Sequence, residues 1–569
     1  MISASSSPAR FRARLTAVLL LAGVAWPAAA QTPATAIPSQ ADISRQRVPQ
    51  ALPTTPDFDL RIQTPERAAT PRAIDEIEFE VKRVAVEGAE YFPAAEVAAL
   101  FAPLEGRKIV LEELRKAATV LEEKYRAQGF FLTRVFVPPQ QVKDGVLTVR
   151  VVEGYVSKVF VEAPDAVTRT QLTKLLQPIV GQKPIGLDAL ERRLLIINDL
   201  PGITGAGVLR PGAELGQSEL ALSVSDRPSS YAISFNNGGS NALGPWTFGA
   251  NATLNRPFAR VGALDLGLSG AGENLKELRA LNVRYAEPVG HSGTVVSIGG
   301  LVAMAKPGGA VRALGIDSFV TSFALRARHP LIRSRETSLF FDAGLSSNRS
   351  RTEAAGVRII LDKTVVAEVA LSLQQNGWLG GSTNVTASLF RGLPWLGSMD
   401  EGASLPSVAN FEPDFTRLAF NAQRVQPLTP RISLQLSTQG QYTGDTLLSG
   451  ELLSFGGASI GRGYDPSVIA GDRGIGGVAE IRYDVKLPDQ PNVNSLQLYG
   501  FIDRASVTSL ANGALPKTKS TIGSYGVGAR TGLFSTAFID LRFADATRSV
   551  ANASPQRDPR VTVTGVIAF

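Results

Sequence analysis

The chain has 569 residues, 44% of them apolar and 19% charged, with a formal net charge of +7 at pH 7. It holds no cysteine and two histidines, His291 and His329. Disulfides, thiolate metal sites and cysteine nucleophiles are thereby excluded, and the histidines lack the spacing of a metal-ligand pair, so no metal or other cofactor is expected. The basic excess is mild and spread along the chain, unlike the clustered Lys and Arg of a nucleic-acid binder.

At the amino terminus Arg10, Arg12 and Arg14 precede an apolar run at 15–25, and Ala28-Ala29-Ala30 offers small residues for cleavage. Residues 1–30 read as a secretory signal peptide. The run falls short of the roughly 20 residues a spanning helix needs, and no later apolar run is long enough. Residues 31–75 form a Pro-rich leader, broken by Pro33, Pro38, Pro49, Pro53, Pro56, Pro65 and Pro71. It is read as flexible. Within it residues 40–47 have the pattern of a short helix, and whether that helix is a plug is left open.

Two related units follow, at 76–154 and 155–228. The first opens with a strand at 81–87, continues through helices at 93–101 and 111–128, and closes with strands at 132–137 and 146–152. Leu111, Leu114, Ala118 and Leu121 share one helix face, and Gly129 follows as a stop. The second reopens at 156–162, offset by 75 residues, and Gly181 and Lys183 match Gly106 and Lys108 at the same offset. Helices at 169–176 and 187–200 and strands at 206–210 and 220–224 complete the same order, so a duplicated α/β module is expected. The β-α-α-β-β order, with Gly-Arg-Lys or Gly-Gln-Lys-Pro between the helices, resembles POTRA domains, the periplasmic modules of outer-membrane polypeptide transporters. That resemblance implies a three-stranded sheet whose edge accepts an extended chain as an added strand.

From 229 to 569 helical periodicity gives way to alternation of period two. Phe248, Ala250, Ala252 and Leu254 oppose Thr247, Gly249, Asn251 and Thr253, and Ile539, Leu541 and Phe543 oppose Asp540 and Arg542. Val561, Val563, Ile567 and the terminal Phe569 share a face, the aromatic serving as a carboxy-terminal barrel signal. The length suits about 16 antiparallel strands closed into an outer-membrane β-barrel, since closure satisfies every backbone group in lipid. The fold class is therefore α+β periplasmic modules followed by an all-β transmembrane barrel.

The densest motif is Gly461-Arg462-Gly463-Tyr464, where glycines flank the Arg and allow a tight, inward-folding loop. In the next strand Glu480, Arg482 and Asp484 share the face opposite the apolar one and point into the lumen. In the strand after that Phe501 and Asp503 point inward, and Asp503 needs a cationic partner, which a folded-in Arg462 supplies as a bidentate pair. Arg462-Gly463-Tyr464 resembles the Arg-Gly-Phe/Tyr tip of the sixth extracellular loop of two-partner secretion transporters, the ShlB/FhaC/HecB (TpsB) family. Phe501-Ile502-Asp503 resembles that family's Phe-x-Asp-x-Gly strand motif, whose Asp binds the Arg. Two positions depart from the pattern: Gly461 replaces a β-branched residue, and Ala505 replaces the Gly.

The resemblance implies a cognate secreted exoprotein (TpsA-like) carried as unfolded polypeptide, outer-membrane lipid and the barrel-assembly machinery as partners, and a Gram-negative outer membrane as location. No nucleotide or nucleic acid is expected, and no enzyme. Gly457-Ala458-Ser459-Ile460-Gly461 matches a nucleophile elbow literally, but no helix follows and no histidine is at hand. Gly526-Val527-Gly528 lacks the rest of a dinucleotide fingerprint. A barrel-assembly insertase of the same superfamily and a passive solute porin stand as alternatives. An insertase usually carries more modules, and a porin carries none.

Overall fold

The computed structural model describes residues 60–62, 78–142, 144–240, 242–488, 492–548 and 559–569. The expected signal peptide and the helical pattern at 40–47 lie outside the described residues.

In the first module Arg83–Glu87 runs parallel to Val146–Val152, with Arg134–Phe136 antiparallel on the other side. Helices Ala94–Phe101 and Leu111–Ala127 cover one face. The longer helix buries Leu114, Ala118, Leu121 and Tyr125. That stripe is the expected one moved a turn onward, because Tyr125 is drawn in by a buried acceptor. Its hydroxyl donates to Glu153 at 2.6 Å, and the same carboxylate accepts the backbone N–H groups of Glu90 and Tyr91 at 2.9 and 2.8 Å. Burial, with the carboxylate beside it, pushes the Tyr125 phenol far above its ordinary pKa.

The second module repeats the plan. Tyr155–Glu162 pairs in parallel with Gln217–Asp226, which pairs antiparallel with Ile203–Pro211. In both modules the first helix ends in a short 3₁₀ turn carrying Pro103 or Pro178, and then a glycine with positive φ, Gly106 or Gly181. The helix expected from 169 starts earlier, at Ala166. Asp165 caps it, accepting the N–H and hydroxyl of Thr168 at 2.9 and 2.7 Å, so the aspartate rather than the apolar periodicity sets the boundary. One departure concerns the leader. Leu60–Ile62 is a strand, pairing in parallel with Gly207, Val208 and Leu209. An open sheet edge carries N–H and C=O groups in want of partners, and these three residues occupy part of it.

Sixteen antiparallel strands then form a closed barrel. They are β1 Ser230–Asn236, β2 Thr247–Asn255, β3 Ala263–Ala271, β4 Leu278–Val289, β5 Thr294–Ala305, β6 Ile316–Arg333, β7 Thr337–Ala354, β8 Val357–Asn376, β9 Ser382–Gly392, β10 Thr416–Pro427, β11 Ile432–Thr443, β12 Arg473–Asp484, β13 Val493–Ser509, β14 Thr518–Leu533, β15 Ala537–Ala546 and β16 Arg560–Ala568. β1 closes on β16, and Phe569 extends the seam by exchanging backbone hydrogen bonds with Tyr231. The Phe569 ring stands on the outer wall with Val561 and Ile567, all three exposed. Phe323, Leu325, Phe341, Leu345, Val369 and Leu371 are likewise exposed, which sets the outward parity of β6, β7 and β8.

The second module docks on the rim that carries the short turns, which marks that rim as periplasmic. Asp199, at the end of helix Leu187–Asp199, takes a bidentate pair from Arg333 at 2.6 and 2.8 Å. Arg192 donates to the carbonyls of Pro330 and Leu331. Arg256, in the turn after β2, pairs with both Asp165 and Asp226. The Thr168 hydroxyl and N–H, followed by Arg256, hold the Asp165 carboxyl below its ordinary range.

Two tests follow from this architecture. Leu345→Arg puts a charge on the lipid face and is expected to destabilise the barrel by about 2–4 kcal/mol. Ser346→Arg, one residue on and facing the lumen, is expected to cost far less, both read by urea titration of protein folded into vesicles. A carboxylate with a lowered folded pKa stabilises fully above its unfolded value of about 4 and loses that contribution as pH falls through the lowered value. Docking of the second module should therefore stay constant from pH 7 to about 5 and loosen below about 4. Spin labels on Thr170→Cys and Ser292→Cys report this as a broadened distance distribution.

Candidate functional site: the folded-in loop

The connection between β11 and β12 leaves the rim opposite the modules and turns back into the barrel. It forms a small hairpin, Leu453–Phe455 with Ile469–Gly471. Phe455, Ile460, Tyr464 and Ile469 bury themselves against Val478, Phe501, Ala505, Val507, Ile522 and Ala544 of the inner wall. Outward neighbours confirm the parity: Ile481, Ile502, Val527 and Leu541 are exposed, so Glu480, Asp503, Gly526 and Arg542 face inward.

The sequence pairs the Arg462 guanidinium with Asp503, and the structure does not. Arg462 Nη1 donates to Glu480 Oε2 at 2.6 Å, with its Cζ 4.5 Å from the Phe501 ring centroid. Asp503 instead accepts the backbone N–H of Arg462 at 3.2 Å, the N–H of Ser524 at 3.1 Å and the Ser524 hydroxyl at 2.7 and 2.8 Å. The reason is local. Ser524 and the loop backbone already occupy both Asp503 oxygens, whereas Glu480, fully buried one strand away, presents its Oε2 to the loop tip.

Glu480 in fact holds three guanidiniums. Besides Arg462 it accepts Arg482 Nε at 2.7 Å and Arg530 Nη1 and Nη2 at 2.7 and 3.2 Å. Asp540 offsets part of the positive excess, 3.5 Å from Arg530 Nε, and also accepts the Tyr499 hydroxyl at 2.6 Å. Asp484 takes no part. It is exposed and accepts Gln497 at 2.8 Å.

The rest of the tip is fixed to strands further round. Tyr464 lies with its hydroxyl 3.0 and 2.8 Å from the carbonyls of Gly523 and Arg548, and Arg542 donates to the Ala458 carbonyl at 3.0 Å. Asp465 pairs with Arg560 of β16 at 2.6 Å. A Cβ on Gly463 would sit 2.9–3.0 Å from the backbone of Asp545 and Ala546, which explains the glycine there. Gly461 adopts φ +84°, and a Cβ would come within 3.0 Å of Gly456 Cα, so a β-branched residue would be strained in this chain. The other departure, Ala505, is buried below Phe455, both approaching Gly476.

The Gly-x-Ser-x-Gly match lies in this loop, where the Ser459 carbonyl accepts Arg462 Nε at 3.1 Å. Gly526 and Gly528 leave room for the rings of Phe501 and Tyr499 lying over them. The sequence sets Asp540 and Arg542 opposite the apolar face and Tyr499 inward, but gives none of these, nor Arg530 and Ser524, a place in the site. Their signal is charge or hydrogen-bonding capacity on the inward parity of β13 to β15.

A closed sixteen-strand barrel with α/β modules on one rim and a loop locked inside defines a class: outer-membrane barrels that carry periplasmic POTRA modules. Residues 216–531 match the family model of the haemolysin secretion/activation proteins ShlB/FhaC/HecB, and residues 79–154 match the ShlB-type POTRA domain. The chain belongs to that haemolysin secretion/activation family, with its barrel in the outer membrane and its modules in the periplasm. The hemolysin transporter protein HpmB of Proteus mirabilis is 25% identical over 515 residues, 86% of each chain. The heme/hemopexin transporter protein HuxB of Haemophilus influenzae strain 86-028NP is 22% identical over 443 residues, 76% of this chain and 77% of its own. The fold is that of CdiB from Escherichia coli, with a TM-score of 0.71 at 21% identity over 89% of this chain and 93% of the other.

The geometry predicts unequal coupling. In double-mutant cycles, Arg462→Ala and Glu480→Ala should interact by about 2 kcal/mol or more. Arg462→Ala and Asp503→Ala should interact by roughly 0.5 kcal/mol, because the N–H that Asp503 accepts survives the substitution. Chemical unfolding of the barrel in vesicles measures both.

Proposed function

We propose that the protein carries a cognate secreted polypeptide across the outer membrane by the two-partner route. The observation that carries this reading is a lumen occupied by its own loop, which is bound through groups that can exchange partners. Unfolded cargo adds to a sheet edge of the periplasmic modules and passes to the barrel mouth. The loop tip, released from Glu480 and Asp503, shifts along the inner wall and opens a path. No nucleotide is required, since folding of the cargo outside biases the motion outward. The relatives' names support transport but differ in what is carried, a hemolysin in one and heme/hemopexin in another, so the cargo here is stated only as a secreted polypeptide.

Arg462 is proposed as the latch, Glu480 as its side-chain partner and Asp503 as the seat of its backbone. Arg462→Ala should lower secretion of the cognate exoprotein at least tenfold while surface-exposed folded barrel stays at wild-type level. Normal secretion at matched surface levels would overturn the latch. An insertase reading is separated by proteoliposomes: a transporter moves the amino-terminal domain of its exoprotein into the lumen, whereas an insertase integrates unrelated barrels into the bilayer.

A further inference from the structure

The outer wall carries a charged feature that transport does not use. On β7 the outward residues run Leu339, Phe341, Ala343, Leu345, Ser347, Arg349 and Arg351 from the periplasmic end upward. Arg349 lies directly opposite Lys363 of β8 on one side and Thr321 of β6 on the other. Leu345 is exposed and pairs with Leu325, which fixes this row as outward-facing. Two cations directly opposite each other across a strand pair, with Cβ atoms about 5 Å apart, repel.

Nearby carboxylates do not relieve them. Glu353 lies 3.5 Å from Arg351, and Asp317 pairs with Lys306 at 2.7 Å. Among the described residues neither Arg349 nor Lys363 has a side-chain hydrogen bond or ion pair.

The height of the pair identifies what could relieve it. Ten residues separate Leu339 from Arg349, about 34 Å along the strand and about 26 Å along the membrane normal at a tilt of about 40°. The apolar band of such a barrel is about 25 Å tall. Arg349 and Lys363 thus stand at its extracellular edge, level with the headgroups of the outer leaflet. Their surroundings are those of an interface. Phe319 lies beneath the Arg351 guanidinium, and the segment after β9 follows the edge of β8 through Leu393 N–H to Val365 and Met399 N–H to Lys363, leaving Trp395 and Leu396 exposed.

We propose that Arg349, Lys363 and Arg351 form a binding site for the phosphate groups of a phosphorylated glycolipid of the outer leaflet, with its acyl chains lying against Phe323, Leu325 and Leu345 below. The inference rests on the barrel's orientation in the outer membrane and is independent of what the barrel transports.

The test is native mass spectrometry of the full-length protein in detergent, titrated with bis-phosphorylated lipid A, with dephosphorylated lipid A, or with inorganic phosphate as competitor. The wild type should retain one bis-phosphorylated lipid A per chain. The Arg349→Gln/Lys363→Gln variant should bind it roughly tenfold or more weakly, and Arg349→Lys should bind nearly as the wild type does. A heat-shift gel shows that each variant is folded, and Arg349→Gln alone serves if the double variant is not. Equal retention by a folded Gln variant overturns the site. So does equal retention of the dephosphorylated lipid, which would leave only apolar contact. Displacement by millimolar inorganic phosphate would assign the site to free phosphate and overturn the lipid assignment.

Discussion

A carboxylate with no exposure to solvent, Glu480, faces three guanidiniums inside the barrel wall. Removing a charge from water costs several kcal/mol, and the cost is recovered only where opposing charges and hydrogen bonds surround it. Two of the cations, Arg482 and Arg530, come from the wall itself, and the third arrives on the loop. The loop is therefore held by a carboxylate that it shares with two cations of the wall. Its apolar residues then close over Phe501 and Ala505 and exclude the water that would weaken the pairing.

This arrangement couples firmness to reversibility. Arg462 contributes one of several donors to Glu480, so its departure leaves the carboxylate still paired with Arg482 and Arg530 and not stranded. Asp503 keeps its bonds from Ser524 in the same event. A buried lock usually carries a large penalty for opening, because one partner is left alone. Here both acceptors would keep partners if the tip moved, as the proposed latch requires.

Much of the architecture was legible in sequence because period-two alternation and the repeat at a fixed offset are properties of whole segments. Leu339 to Leu345 and Ile539 to Phe543 each declare a face without reference to any other strand. The site was half legible. Motif and strand parity put Arg462, Glu480 and Asp503 in the lumen, but the pairing among them depends on how far each inward side chain reaches around the wall, which no single strand encodes. Asp503 looked unpartnered only because Ser524, a residue with no charge to advertise it, sits on the neighbouring strand. The strand at Leu60–Ile62 was hidden for a similar reason. Three residues are too few for a periodic signal, and its partner strand lies more than 140 residues away.

The turn carrying Arg256 has a mechanical consequence. Asp226 and Asp165, its two partners, belong to the second module, and β1 begins only four residues after Asp226. β1 is also one of the two strands at the seam, joined to β16 through five paired positions extended by the Tyr231–Phe569 exchange, against twelve between β12 and β13. A rocking module would thus pull on the least reinforced stave of the cylinder were Arg256 not holding Asp165 and Asp226 to the turn after β2. That arginine ties the domain beneath the barrel to a second point of the wall, away from the seam, so that a load on the domain is shared between two staves.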